Sequence, residues 1–250
     1  MTRRRFFALP AAFDQAHQTV QLDQAETRHL RDVLRLRAGD EVFVFDGRGH
    51  EFRCLVTDAS GKTGALTVAG PVAPARPESL LKLTLAVALL KGEKFDLVVQ
   101  KATELGATRI VPVLTARSDV RVPKEAAGTR RVERWNRLAM EAAKQSGRAF
   151  VPECSEPVEF SAFVQANPDG ALTRLMFTER DGSGFETVEP PANNEVVALV
   201  GPEGGWADDE LDHARANGWT LITLGGRILR AETAAITVTA LLEHQFGDLR

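Results

Sequence analysis

The sequence predicts an α/β protein, with a mostly parallel sheet in its C-terminal domain and a small β-rich domain before it. Three observations carry this. After Leu80, continuous apolar runs alternate with stretches whose apolar residues recur every three or four positions. That is the pattern of buried parallel strands separated by amphipathic helices. Before residue 70 the apolar stretches are short and alternate residue by residue, as half-buried strands do. Between the two textures, Gly70-Pro-Val-Ala-Pro-Ala-Arg-Pro77 places three prolines in eight residues. A stiff, extended linker is expected there, which gives domains over 1–72 and 78–250.

Taken in order, Glu41–Asp46 and Glu51–Thr57 read as strands joined by the glycine turn Asp46-Gly-Arg-Gly49, with a further strand over Ala65–Ala69. Residues 26–37 read as one short helix beside them, which makes the N-terminal part a small barrel or sandwich. In the second part, Leu83–Leu90 is an unbroken apolar run. Phe95, Val98, Ala102 and Leu105 then mark a helix, Arg109–Leu114 a strand, and Val132, Trp135, Ala139 and Ala142 a helix near 130–146. Strands follow at Leu172–Thr178 and Glu195–Val200. Asp208–Asn217 is a helix with three acids in its first turn, where the helix dipole favours them. Trp219–Leu224 is a strand and Thr233–Phe246 the last helix, with Thr233 a candidate cap.

Composition narrows the function. Hydrophobic residues make up 44% and charged residues 26% of 250, which supports a packed globular core. The net charge of −3 gives no global basic excess, so any nucleic-acid surface must be local. Cys54 and Cys154 stand a hundred positions apart with no metal-ligand spacing. No metal site is expected, and unpaired cysteines suit a reducing cytoplasm. The N-terminal apolar run is broken by Pro10 and Asp14, and Leu83–Leu90 is too short to span a bilayer. A cytoplasmic protein without a membrane anchor is therefore expected.

Two loops stand out. Gly201-Pro-Glu-Gly-Gly205 leaves a strand and enters a helix, and so does the stretch Leu224-Gly-Gly-Arg-Ile-Leu-Arg-Ala-Glu-Thr-Ala-Ala235. In open α/β sheets, ligands bind beyond the carboxyl ends of the strands, and glycines let the backbone come close. Two such loops within the last fifty residues point to one shared pocket. Other cofactor signatures are excluded. Gly61-Lys62-Thr63 lacks the first glycine of a phosphate-binding loop, and no dinucleotide fingerprint, nucleophile elbow or zinc-protease motif is present. Basic residues cluster twice. Arg28, Arg31 and Arg35 recur at helical spacing, and residues 117–137 carry seven basic residues, Arg117 and Arg121 among them, against three acids. Two basic runs on two domains suggest contacts to a phosphate backbone.

At these residues the chain resembles the RsmE family. These are SPOUT-class enzymes that methylate uridine N3 in 16S ribosomal RNA. Gly201–Gly205 with Leu224–Ala234 resembles the family's C-terminal signature. Lys91-Gly-Glu-Lys94, Gln100–Gly106, Arg117-Ser118 and Glu141–Arg148 resemble its middle segments, and His29–Arg35 with Gly39-Asp40 its N-terminal PUA-like RNA-binding domain. Ala207 departs from the pattern, where a capping serine is common; so do Gly226 and Leu90, where proline is frequent. The resemblance implies a deep trefoil knot, with residues after about 225 threaded through an earlier loop, and a homodimer. It also implies S-adenosyl-L-methionine (SAM) as cofactor, held by Thr178, Leu199, Val200, Gly201, Gly204, Gly205, Leu224, Gly225, Ile228, Leu229, Thr233 and Ala235. The implied partner is 16S ribosomal RNA or the small ribosomal subunit, contacted through Arg3, Arg4, Arg28, Arg31, Arg35, Arg117 and Arg121. Transfer to an imide nitrogen requires removal of its proton. Glu203 and Glu232 are carboxylates in the right loops for that, and Arg230 is placed to stabilise a uracil anion.

Overall fold

The computed structural model describes residues 3–118, 126–166 and 172–249. The chain forms two compact units. One is Met1–Glu78 with Met140–Val151; the other is Ser79–Ala139 with Pro152–Arg250.

The first unit contains β1 (Arg5–Phe7), β2 (Phe13–Asp14), β3 (Thr19–Leu22), α1 (Gln24–Arg28), β4 (Glu41–Phe45), β5 (Glu51–Asp58) and β6 (Gly64–Val72). They build one curled sheet in the order β1-β4-β5-β6-β3-β2, antiparallel except for the β1–β4 pair. Alternation along the strands buries Val20 and Leu22, Val42 and Val44, and Cys54 and Val56 on one face, where Phe6, Leu30 and Leu66 join them. The predicted helix starts earlier, at Gln24, because the Asp23 carboxylate caps it by accepting from Glu26 N–H at 2.8 Å. It also stops earlier. A π-helical turn over His29–Val33 follows α1, and Arg35 then takes φ +54°, a left-handed conformation that ends a helix. Arg28 and Arg31 therefore belong to the helical stretch, and Arg35 lies beyond it.

A buried ion cluster fastens residues 140–151 to this sheet. The Arg5 guanidinium lies 3.2 Å from the Glu51 carboxylate and donates to the carbonyls of Lys144 at 3.0 Å and Arg148 at 2.8 Å. Glu51, only 1% exposed, also accepts from Arg3 at 3.1 Å and from Ala75 N–H at 2.9 Å. Arg148 in turn pairs with Glu78 at 2.7 Å.

The second unit contains β7 (Lys82–Ala88), α2 (Lys94–Glu104), β8 (Arg109–Leu114), the start of α3 (Ala126–Ser146), β9 (Glu153–Cys154), β10 (Val158–Glu159), α4 (Phe160–Gln165), β11 (Thr173–Phe177), β12 (Ser183–Gly184), β13 (Glu195–Val200), α5 (Asp208–Ala216), β14 (Thr220–Thr223) and α6 (Ala231–Phe246). Its strands among the described residues all pair in parallel, in the order β10-β8-β7-β13-β11-β14-β12, with β9 also on β8. A parallel sheet must be covered on both faces. On one face, Phe160, Val164, Leu211 and Ala214 of α4 and α5 pack with Trp206 and Trp219 over Ala86, Val111, Met176 and Leu199. α6 packs against β7, β13 and α2. The last helix begins at Ala231, two residues earlier than predicted. Arg230 occupies the N-cap position without a side-chain hydrogen bond, so Thr233 is an exposed first-turn residue and not the cap. No helix among the described residues is long and apolar enough to cross a membrane, and no cluster of metal-ligating side chains occurs among them.

Candidate functional site

β13, β11 and β14 are neighbours and run parallel, so the loops leaving them emerge at one edge of the sheet. Those loops enclose a cavity of about 520 Å³. Nine of the predicted cofactor residues line it: Thr178 after β11, Val200, Gly201, Gly204 and Gly205 at and after β13, and Leu224, Gly225, Ile228 and Leu229 after β14. Leu199 does not, because its side chain lies in the core beneath. Ala235 is fully buried one turn into α6, and Thr233 is also absent from the wall. Of the predicted catalytic groups, Glu203 lines the cavity, whereas Arg230 and Glu232 flank it at the start of α6.

The two glycine loops differ in kind. Gly225 and Gly226 both sit at φ +72°, with open space where a Cβ would stand. There glycine serves backbone conformation and leaves room for a ligand. Gly201 serves packing instead. A Cβ there would lie 2.8 Å from the Trp206 indole, which is 1% exposed and donates from Nε1 to the Phe177 carbonyl at 2.8 Å. Trp206 thus ties the end of β11 to the loop after β13. Sequence reasoning missed it, although a tryptophan directly after a glycine pair is itself an unusual sign.

The floor of the cavity holds a polar group seeking a partner. The Thr223 hydroxyl is buried and has no hydrogen-bond partner among the described residues. The wall beside it is apolar, with Ile228 89% exposed and Leu229 36% exposed. Exposed aliphatics on a cavity wall are surface waiting to be covered.

Charge gathers at one side. Lys94, in the first turn of α2, places Nζ 2.8 Å from Glu203 Oε1. The Glu203 carboxylate holds the Lys94 ammonium above its usual pKa, Glu232 adds to this, and Arg230 opposes it. Glu232 is buried, and its Oε2 has no hydrogen-bond partner among the described residues. An Arg230–Glu232 ion pair is not formed among them. Arg117, predicted to contact RNA, donates to the Gly204 carbonyl at 3.1 Å and so braces the glycine loop. Arg180 braces the same region by pairing with Asp208 at 2.6 Å and donating to the Trp206 carbonyl at 3.3 Å.

The N-terminal arginines separate by their partners. Arg3 is held by Glu51 and the Ala73 carbonyl. Arg31 is held by Asp32 at 2.7 Å and the Gly61 carbonyl at 3.1 Å. Arg4, Arg28 and Arg35 are exposed, with no side-chain ion pair among the described residues. Arg121 lies outside the described residues.

Comparison with known proteins gives the family of the chain. A family model described as RNA methyltransferase domain matches residues 77–243, and one described as RNA methyltransferase PUA domain matches residues 22–68. Ribosomal RNA small subunit methyltransferase E of Synechocystis sp. is 37% identical over 90% of this chain and 74% of its own length. The Bacillus subtilis protein of that name is 30% identical over 93% and 92%. Among solved structures, the Neisseria gonorrhoeae ribosomal RNA small subunit methyltransferase E bound to S-adenosyl methionine superposes with a TM-score of 0.88. It is 30% identical, and all of both chains is covered. A Legionella pneumophila methyltransferase in complex with SAM gives the same TM-score, identity and coverage. This chain belongs to the RNA methyltransferase family that contains the ribosomal RNA small subunit methyltransferases E.

Proposed function

We propose that this chain transfers the methyl group of SAM to ring nitrogen N3 of one uridine in 16S ribosomal RNA of the small subunit. The observation that carries the reading is the cavity at the ends of β11, β13 and β14, set in a chain of this family. Its residues fit the cofactor. The volume of about 520 Å³ lies within the roughly 300–1,000 Å³ usual for such sites. Ile228 and Leu229 offer apolar cover to an aromatic base. Gly225 and Gly226 bring bare backbone to the wall, and the buried Thr223 hydroxyl offers a polar group without a partner. Thr178, Val200, Gly201, Gly204, Gly205 and Leu224 complete the enclosure, and Leu199 lies in the core beneath it.

When bound, SAM supplies an electrophilic methyl group; the chain's own groups do the rest. The loops orient the acceptor nitrogen for in-line attack, the largest rate contribution of such a site. Glu203 and Glu232 are the carboxylates available for the N3 proton, and Arg230, at the N-cap of α6, is the guanidinium available to the charge that develops on the uracil oxygens. The target base must leave its stack to reach the cavity. Arg3, Arg4, Arg28, Arg31 and Arg35 of the PUA-like domain (1–72) and Arg117 of the methyltransferase domain (78–250) hold the RNA backbone, which positions the strand and does not specify the base. The family reading carries with it a homodimer, a cytoplasmic location and a deep trefoil knot formed by residues after about 225.

The test is calorimetric titration with SAM, followed by methyl transfer to small ribosomal subunits. Binding with transfer to a single uridine N3 is expected. Failure to bind SAM across a range of salt concentrations would leave an RNA-binding assembly module, and transfer to another nucleotide would reassign the substrate. Arg28→Ala with Arg35→Ala is expected to weaken RNA binding, with SAM affinity retained. The log–log salt dependence should flatten by about 0.7 for each phosphate that the variant no longer neutralises. An unchanged slope would remove both arginines from the RNA surface.

A further inference from the structure

Lys94 lies outside both glycine-rich loops of the cavity, yet it stands at the cavity's acidic side. Its Nζ lies 2.8 Å from Glu203 Oε1, although the two residues are 109 positions apart in the chain. Glu203 rides on a loop of three glycines and one proline, whose backbone has more conformational freedom than a helix. Lys94 stands on the first turn of an 11-residue helix that packs on α6. The ion pair thus anchors the carboxylate of a soft loop to a rigid element.

Glu203 on its loop and Glu232 with Arg230 at the start of α6 lie within electrostatic reach of Lys94. Along the same loop, Arg117 meets Gly204, and Glu179 stands beside Gly205. Lys94 supplies a positive charge directly beside Glu203, and Arg227 and Glu179 line the same cavity. Glu203 and Glu179 are the carboxylates on the cavity wall, and Glu203 is the one that Lys94 holds; Glu232 is buried at the start of α6.

We propose that Lys94 is a positioning residue for methyl transfer, holding the Glu203 carboxylate where it accepts the uracil N3 proton. This rests on the enzyme reading given above. In the step, the N3–H proton passes to the Glu203 carboxylate. The nitrogen lone pair forms the N–C bond to the methyl carbon as the S–C bond breaks, its electron pair remaining on sulfur. The products are a neutral methylated ring, a neutral thioether and a protonated carboxyl group, so charge and atoms balance. Lys94 touches neither the ring nor the methyl group, and acts through Glu203.

The pair is exposed, with 39% and 38% of the two side chains accessible, and exposed pairs of this kind contribute little to stability. Lys94→Met is therefore expected to fold normally, with unchanged thermal midpoint and SAM affinity. Its kcat on small subunits should fall by up to about a hundredfold, the range of a misplaced catalytic group, while KM stays near the wild-type value. Lys94→Arg should recover at least a tenth of the lost rate, since a guanidinium also pairs with a carboxylate. Subunits reconstituted on RNA containing 5-fluorouridine, whose imide proton is more acidic, should lessen the Lys94→Met defect. A Lys94→Met enzyme with wild-type kcat would overturn the assignment. So would a rate defect accompanied by an equal loss of SAM affinity, which would make the pair scaffold for the cofactor loop. A wild-type chain that neither binds SAM nor transfers methyl would remove the enzyme reading, and this inference with it.

Discussion

A glycine in a ligand loop and a glycine beneath a tryptophan look alike in a sequence. Gly201 is of the second kind, so its substitution is a packing event. Gly201→Ala is expected to lower stability by about 1–3 kcal/mol, the cost of an extra carbon forced into a filled site. It should also weaken SAM binding as Trp206 shifts; the urea midpoint and calorimetry read the two effects. A wild-type midpoint would mean that the indole has room to move. The cysteines give a second residue-scale test. Burial pushes the thiols of Cys54 and Cys154 up to about 12, so at pH 8 each stays protonated and unreactive. Iodoacetamide followed by mass spectrometry should leave both unmodified in the native protein and label both in urea; native labelling of either would contradict its buried placement. At this scale the sequence is informative where chemistry clusters along the chain. Gly201–Gly205 and Leu224–Leu229 are visible because unusual residues adjoin one another. The roles of Lys94 and Trp206 are not, because they come from Glu203 and Phe177, partners distant in the chain and brought close only by the parallel sheet.

Among the elements, those with sustained periodicity are legible. β7, α2, β8, β13, α5 and β14 lie within a residue or two of the stretches their apolar patterns mark. β9, β10 and β12 have two residues each, too few to carry a period, and α4 has six. The helix expected over 26–37 runs too far, because its apolar spacing continues past the point where Arg35 turns left-handed. α5 shows how a local departure is compensated. Ala207 at its N-cap has no side-chain acceptor, so only half of a capping box exists. Glu210 supplies that half, accepting from Ala207 N–H at 3.0 Å and from Ala116 N–H at 2.9 Å. Ala207→Ser would restore the missing acceptor and is expected to raise stability by about 0.5–1 kcal/mol, measured by denaturant unfolding. No gain would show that Glu210 and solvent already satisfy the first turn.

Across the whole molecule, two textures of sequence correspond to a curled, mostly antiparallel sheet and a parallel one; β6 runs on through Gly70, Pro71 and Val72 of the expected linker, but the change of texture is plain to read. The return of residues 140–151 to the first unit is not, since they simply continue the amphipathic pattern of α3. What binds them is the Arg5 and Glu51 cluster, visible only once the chain is folded. Glu51→Gln would leave the Arg5 guanidinium buried without its counter-charge, at a cost of about 3–5 kcal/mol. Urea unfolding checks this, and a loss below about 1 kcal/mol would mean that the backbone carbonyls of Lys144 and Arg148 suffice. The discontinuity also sets a timetable. A nascent chain that has exposed its first 78 residues still lacks the segment that satisfies Arg5, and must wait until residue 151 has been made. At about 5–20 residues per second that wait is roughly 4–15 s. During it, the N-terminal sheet is on view to the ribosome and its chaperones with its ion cluster unfinished.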